Sequence, residues 1–259
     1  MDNETMMEEL EHLKRQLAMT VSLKFHLMPN VYPAFPDLPG IDIYGDQIGL
    51  GKVGGDFFDF FRINNDHVGI LVADIFDGGD AAALYMVAFK LYMMGELAMG
   101  FTPAELMEVV NNRLAAANED DLCLSAWYGV YELSTGIITA VNAGHEPPVL
   151  LTKESCGECE NEVQSYLLAV MENISYESYE FRLNPGDKLI LYTDGMTKAG
   201  FTREMLIETL EGCRGENAED TVGTIQEAMF DQVGEDLPDD ATFVCLMAPE
   251  AVEGEGGVS

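Results

Sequence analysis

The chain has 259 residues, 47% of them hydrophobic, and sets 13 lysines and arginines against 46 aspartates and glutamates for a formal net charge of −33. A surface of that sign repels phosphate backbones and anionic lipid, which argues against nucleic acid or a membrane surface as a partner. The length suffices for a large core, no apolar run approaches the roughly 18 residues of a membrane span, and the acidic start MDNETMMEEL is unlike a secretion signal, so a cytoplasmic protein is expected.

Residues 4–28 read as a helix with Leu10, Leu13 and Leu17 at alternating three- and four-residue spacing. That stripe packs either on its own domain or against a second copy in a weak homodimer. With only this helix ahead of the connector, no separate sensor domain is expected, and the helix is where a regulator would act. The connector, PNVYPAFPDLPG at 29–40, carries four prolines and ends the helix.

From Ile41 the pattern changes to strands. IDIYGDQI alternates apolar and polar residues, DFFDFFRI is aromatic-rich, NND is a turn and HVGILVADI is an apolar run. Between the first two lies GLGKVGGD, in which Gly49, Gly51 and Gly54 have the spacing of a dinucleotide-binding turn. Such a turn needs a helix opening at its last glycine to seat the pyrophosphate, and here a strand follows, so the dinucleotide reading falls.

The first long internal helix spans 80–100, its methionines read as core packing. A second, TPAELMEVVNNRLAAA, opens on Thr102 as N-cap, with Pro103 at its first position and Glu105 completing a capping box. Strands resume at LCLSAWYGVYEL and GIITAVNAG, joined by Ser134-Thr135-Gly136. There follow YESYEFRL, the turn NPGD, the strand KLILYT, helical pieces at 202–212 and 218–233, and a last strand, ATFVCLMA. The tail at 249–259 is acidic and glycine-rich and is expected to be flexible. Antiparallel-type strands mixed with paired helices argue for an α+β fold with helices covering sheet faces. Five cysteines, Cys123 and Cys245 among them in apolar runs, suit reduced thiols. The CxxC of Cys156 and Cys159 has no second pair nearby to complete a zinc site.

Four places set an aspartate at a strand end. Asp56 follows Gly54-Gly55, Asp74 follows Ala73, Asp194 precedes Gly195, and Asp239-Asp240 precede ATFVCL. Each alone reads as a turn residue. Together, short rigid carboxylates converging from separate strands offer the hard oxygen donors that divalent cations need, enough for two ions.

The ordered stretches VGGDFFDFF, ADI…AAAL, NAGHEPP, PGDKLILYTDGMTKA and DDATFV resemble the metal-dependent protein serine/threonine phosphatases of type 2C. Within them the chain is similar to the bacterial stage-II-sporulation-E and sigma-regulator branch, over roughly residues 20–248. The resemblance implies an αββα sandwich of two antiparallel sheets flanked by helices, with two Mn2+ or Mg2+ ions at one end. It divides the chain into an N-terminal helix (1–28), the connector (29–40), a phosphatase domain (41–248) and the tail. It makes Asp56, Asp74, Asp194 and Asp239 metal ligands, with Asp240 the alternative to Asp239, Thr242 in register, and the Ile75 carbonyl an added donor. The nucleophile would be a metal-bridging hydroxide rather than a side chain, and the substrate a phosphorylated regulatory protein of the anti-anti-sigma type. Lys52 is a candidate to steer the substrate phosphate, whereas His145 reads as a loop-fixing hydrogen-bond group. The chain departs from the pattern at Ala73, at Phe76, where a small residue is usual, and at Lys198, where glutamate is usual. These departures keep a second reading open, a phosphatase-fold binding module with little or no activity.

Overall fold

The computed structural model describes residues 22, 26–38, 41–49, 54–76, 80–118, 121–159 and 162–248. The leucine stripe of the 4–28 helix, Lys52 and the 249–259 tail lie outside the described residues, and with them the dimer expectation.

Ten strands and five helices make up the described fold. In chain order the first strands are β1 (Asp42–Ile48), β2 (Asp56–Arg62) and β3 (His67–Ile75), followed by helices α1 (Asp80–Leu97) and α2 (Pro103–Ala116). Strands β4 (Leu124–Glu132), β5 (Ile137–Ala143), β6 (Val149–Leu151), β7 (Cys156–Glu158), β8 (Tyr179–Arg182) and β9 (Lys188–Tyr192) come next. The chain closes with α3 (Gly195–Lys198), α4 (Arg203–Gly212), α5 (Ala218–Val233) and β10 (Ala241–Met247). One sheet has the order β1-β10-β9-β6-β7 and the other β2-β3-β4-β5-β8, and every pairing is antiparallel.

The two-residue period of β9 and β10 explains the layering. Leu189, Leu191, Val244 and Leu246 belong to the core shared with the second sheet, whereas Ile190, Tyr192, Phe243 and Cys245 pack in a separate cluster with α4 and α5. Helix α5 lies on β1 and β10, and α2 on β4 and β5. The result is helices, sheet, sheet, helices, the αββα sandwich expected. Strand β3 is buried along nearly all its length, as a central strand covered on both faces must be. Met28, just ahead of the proline-rich segment, and Leu38 within it are also buried in the main core.

The capping box at Thr102 forms as the spacing requires: Thr102 Oγ1 accepts from Glu105 N while Glu105 returns to Thr102 N. Two sequence readings need correction. Met86 and Met93 of α1 are core residues, but Met94 and Met99 are exposed together with Leu84 and Leu91. The segment carrying Cys156 and Cys159, not read as a strand from the sequence, pairs as β7 with β6, and Cys159 is buried. A three-residue strand is too short for periodicity to reveal.

Candidate metal-binding acidic end

Strand pairing builds the first half of the site. Asp56 opens β2 and Asp74 nearly closes β3, and the antiparallel register sets them directly opposite each other at one end of the sheet. Both are buried, at 3% and 8% exposure. Glycine at 55 is required by the close approach of the next chain: a Cβ there would stand 2.0 Å from the Ile75 carbonyl oxygen and 2.8 Å from Asp74 Oδ1. Burial, then the charge of Asp194, pushes the Asp74 carboxyl up to about 6, while Lys198 and a hydrogen bond with Asp56 act the other way.

The second sheet delivers the other half. Strands β9 and β10 are neighbours, so the residues after Tyr192 and before Ala241 emerge side by side. Thr193 and Thr242 both donate hydroxyls to Asp56 Oδ2, the latter at 2.8 Å, and thereby fasten the two sheets at this end. Thr242 N donates in turn to Thr193 Oγ1 at 3.0 Å. From β1, opposite Thr242 in register, the amide of Gln47 lies 3.2 Å from the Asp56 carbonyl and 3.2 Å from Asp240 Oδ2.

Asp240 is buried, and its carboxylate occupies the space that Cβ atoms at Gly49 and Gly54 would fill, at 2.0 and 1.9 Å. The two outer glycines of the rejected dinucleotide pattern thus make room for a carboxylate rather than a pyrophosphate. Asp239 points elsewhere: its Oδ2 accepts from Lys198 Nζ at 2.7 Å. Lys198 also lies 2.8 Å from Asp194 Oδ1, four residues back and just ahead of α3. Burial works against the lysine's charge, but hydrogen bonds to Asp194 and Asp239 prevail and hold the ammonium above its ordinary range.

Every candidate ligand in the described residues therefore gathers at one end of the sandwich: Asp56, Asp74 and the Ile75 carbonyl from one sheet, Asp194, Asp239 and Asp240 from the other. All the donors are oxygens, the chemistry that suits Mg2+ or Mn2+. The elevated Asp74 and the glycine cradles at 49, 54 and 55 fit a site built for a cation. Sequence reasoning missed Gln47, Thr193 and Glu146. Burial, then the charge of Asp194, raises the Glu146 carboxyl, so it belongs to the same acidic field. None of the three carries a local signal; each is brought in by strand register or loop packing.

His145 is buried behind this end. Its Nδ1 shares a 2.9 Å hydrogen bond with Ser125 Oγ, and Ser125 is the register partner of Asp74. Burial lowers His145 to about 4, so it stands neutral, and Asn142 holds its backbone on both sides. Among the described residues, the one set of three acidic or histidine side chains whose ligand atoms lie within 4.8 Å of one another is Asp66, His67 and Glu132, at the far end of the same sheet, where Asp66 binds Ser134; the aspartates of the acidic end, taken three at a time, stand further apart.

The model of the family described as Stage II sporulation protein E matches residues 64–249. The phosphoserine phosphatase RsbU of Bacillus subtilis is 23% identical over 216 residues, covering 82% of this chain and 64% of that protein. Protein IcfG of Synechocystis is 30% identical over 212 residues, 68% of this chain and 33% of that protein. The chain thus spans between a third and two thirds of these relatives' length. Among solved structures, the PP2C domain of SiaA from Pseudomonas aeruginosa superposes with a TM-score of 0.78 at 16% identity, covering 92% of this chain and 98% of that domain. The phosphatase domain of SpoIIE from B. subtilis, solved with a fragment of its regulatory domain, gives 0.72 at 13% identity, covering 82% and 63%.

Proposed function

The chain belongs to the Stage II sporulation protein E family, and we propose that it is a divalent-cation-dependent protein serine phosphatase acting on a small phosphorylated regulatory protein of the anti-anti-sigma type. The observation that carries this reading is the convergence of five aspartates from both sheets on one end of the sandwich. Asp56, Asp74, Asp240 and the Ile75 carbonyl would be the donors on the buried side, while Asp194 and Asp239, on the solvent side, each have an oxygen engaged by Lys198. Bound Mn2+ or Mg2+ supplies the positive charge that makes water acidic enough to attack phosphorus and neutralises the phosphoryl oxygens.

The chain's own groups orient that chemistry. Thr193 and Thr242 fix the rotamer of Asp56, and Gln47 ties Asp240 to the same framework. His145, buried and neutral, supports the Asp74 strand end through Ser125 and is placed to hold structure rather than to transfer a proton. A substrate phosphate approaching a chain of charge −33 is repelled unless cations are in place, so activity is expected to depend strictly on added metal.

Hydrolysis of para-nitrophenyl phosphate and of a phosphoserine peptide tests the proposal. Turnover is expected with Mn2+ and absent in EDTA, and Asp74→Asn is expected to remove it. A wild-type protein inert with or without Mn2+ overturns the enzyme reading and leaves the binding module.

A further inference from the structure

The position of Lys198 sets this chain apart within its own acidic end. Three side chains from two elements meet there: Asp194 before α3, Lys198 at its last residue, and Asp239 ahead of β10. The four-residue spacing sets Lys198 over Asp194. The approach of β10 to β9 then brings in Asp239, so the ammonium lies 2.8 Å from one carboxylate and 2.7 Å from the other. An ammonium taking one oxygen from each of two carboxylates uses the same lone pairs that a divalent cation would need. Asp239 has its other oxygen committed to Asp240 N at 2.9 Å, which fixes the carboxylate in that orientation.

We infer that Lys198 is a built-in counter-ion that excludes a divalent cation from between Asp194 and Asp239, so that the protein takes up one Mn2+ fewer than its set of carboxylates would otherwise hold. The inference rests on the metal-dependent reading above. It accounts for the solvent-side carboxylates being held together without metal, their charge halved, and it turns the lysine at this position into a determinant of metal stoichiometry. Ammonium and Mn2+ compete for the same oxygens, and the ammonium is tethered one helical turn away. A free cation must therefore displace a ligand that is always present at high local concentration.

Titration calorimetry with Mn2+ on the full chain, comparing wild type, Lys198→Met and Lys198→Glu, decides the matter. The Met variant is close in length and removes only the charge, while the Glu variant adds a donor. Each is expected to bind one more Mn2+ than wild type, or to bind the last equivalent on the order of tenfold more tightly. Electron paramagnetic resonance gives a second readout independent of activity, since a pair of coupled Mn2+ ions differs from isolated ions. Equal stoichiometry and affinity in wild type and both variants, with metal bound in all three, overturns the inference and leaves the phosphatase reading standing. Absence of Mn2+ binding in all three overturns both. Melting curves of the three metal-free proteins check that the fold is common to them.

Discussion

The two halves of the acidic end solve one problem in opposite ways. Asp56 and Asp74 are almost fully buried, and Asp56 is met by hydroxyl donors from the facing sheet. The side chains of Asp194 and Asp239 are 29% and 40% exposed and are met by an ammonium on a flexible stem. Where water is excluded, a carboxylate needs donors held in place by the framework, because desolvation raises the cost of every missing hydrogen bond. Where water remains, a mobile counter-ion suffices, and its contribution to stability is small. The buried half is therefore the rigid part of the site, and the solvent-side half the adjustable one.

The largest expected effect tests that division directly. In Mn2+-supported hydrolysis, Asp74→Asn is expected to cost on the order of a hundredfold or more, and Asp194→Asn distinctly less. Equal losses would break the distinction between the halves.

The next effect is on stability. Burial lowers His145 to about 4 in the folded protein, against about 6.5 when unfolded, so the unfolded chain takes up the proton first on acidification. That term is fully present above pH 6.5 and is lost as the pH falls towards 4, about 3 kcal/mol in all. Asp74, raised to about 6 first by burial and then by Asp194, has the opposite sign: the folded state binds its proton first, and stability is gained over the same fall in pH. Urea unfolding of the metal-free protein at pH 7 and pH 4.5 is expected to show His145→Gln gaining stability on acidification relative to wild type. A variant that follows the wild-type profile would remove His145 from the account.

Thr242→Val sharpens the comparison at a single bond. It takes a hydroxyl donor from the buried Asp56 and is expected to cost about 1–3 kcal/mol in urea unfolding. The smallest effect belongs to the solvent side. Lys198→Met is expected to change the stability of the metal-free protein by less than about 1 kcal/mol, and 1 M salt should erase the difference. A loss as large as that of Thr242→Val would mean that the ammonium is a framework element.

Much of this protein could be read along the chain, because strand alternation, turn residues and helix caps act over a few neighbours. DFFDFFRI and HVGILVADI became β2 and β3, the capping box formed at Thr102, and the aspartates expected at strand ends are there. The three-residue β6 and β7 and the four-residue α3 escaped, being shorter than the period that announces an element. What local pattern could not supply was the meeting of groups distant in sequence. The hydrogen bond from Thr193 to Asp56 joins residues 137 apart, that from Gln47 to Asp240 residues 193 apart, and that from Lys198 to Asp239 residues 41 apart. Such meetings depend on which strands pair, in which register, and on two sheets packing face to face. A shift of one residue in register would turn Asp56 of β2 or Gln47 of β1 to the opposite face. The kinds of donor were thus written in the chain, while the decision that Asp56 receives hydroxyls and Asp239 an ammonium was made by long-range strand pairing and by the burial it imposes.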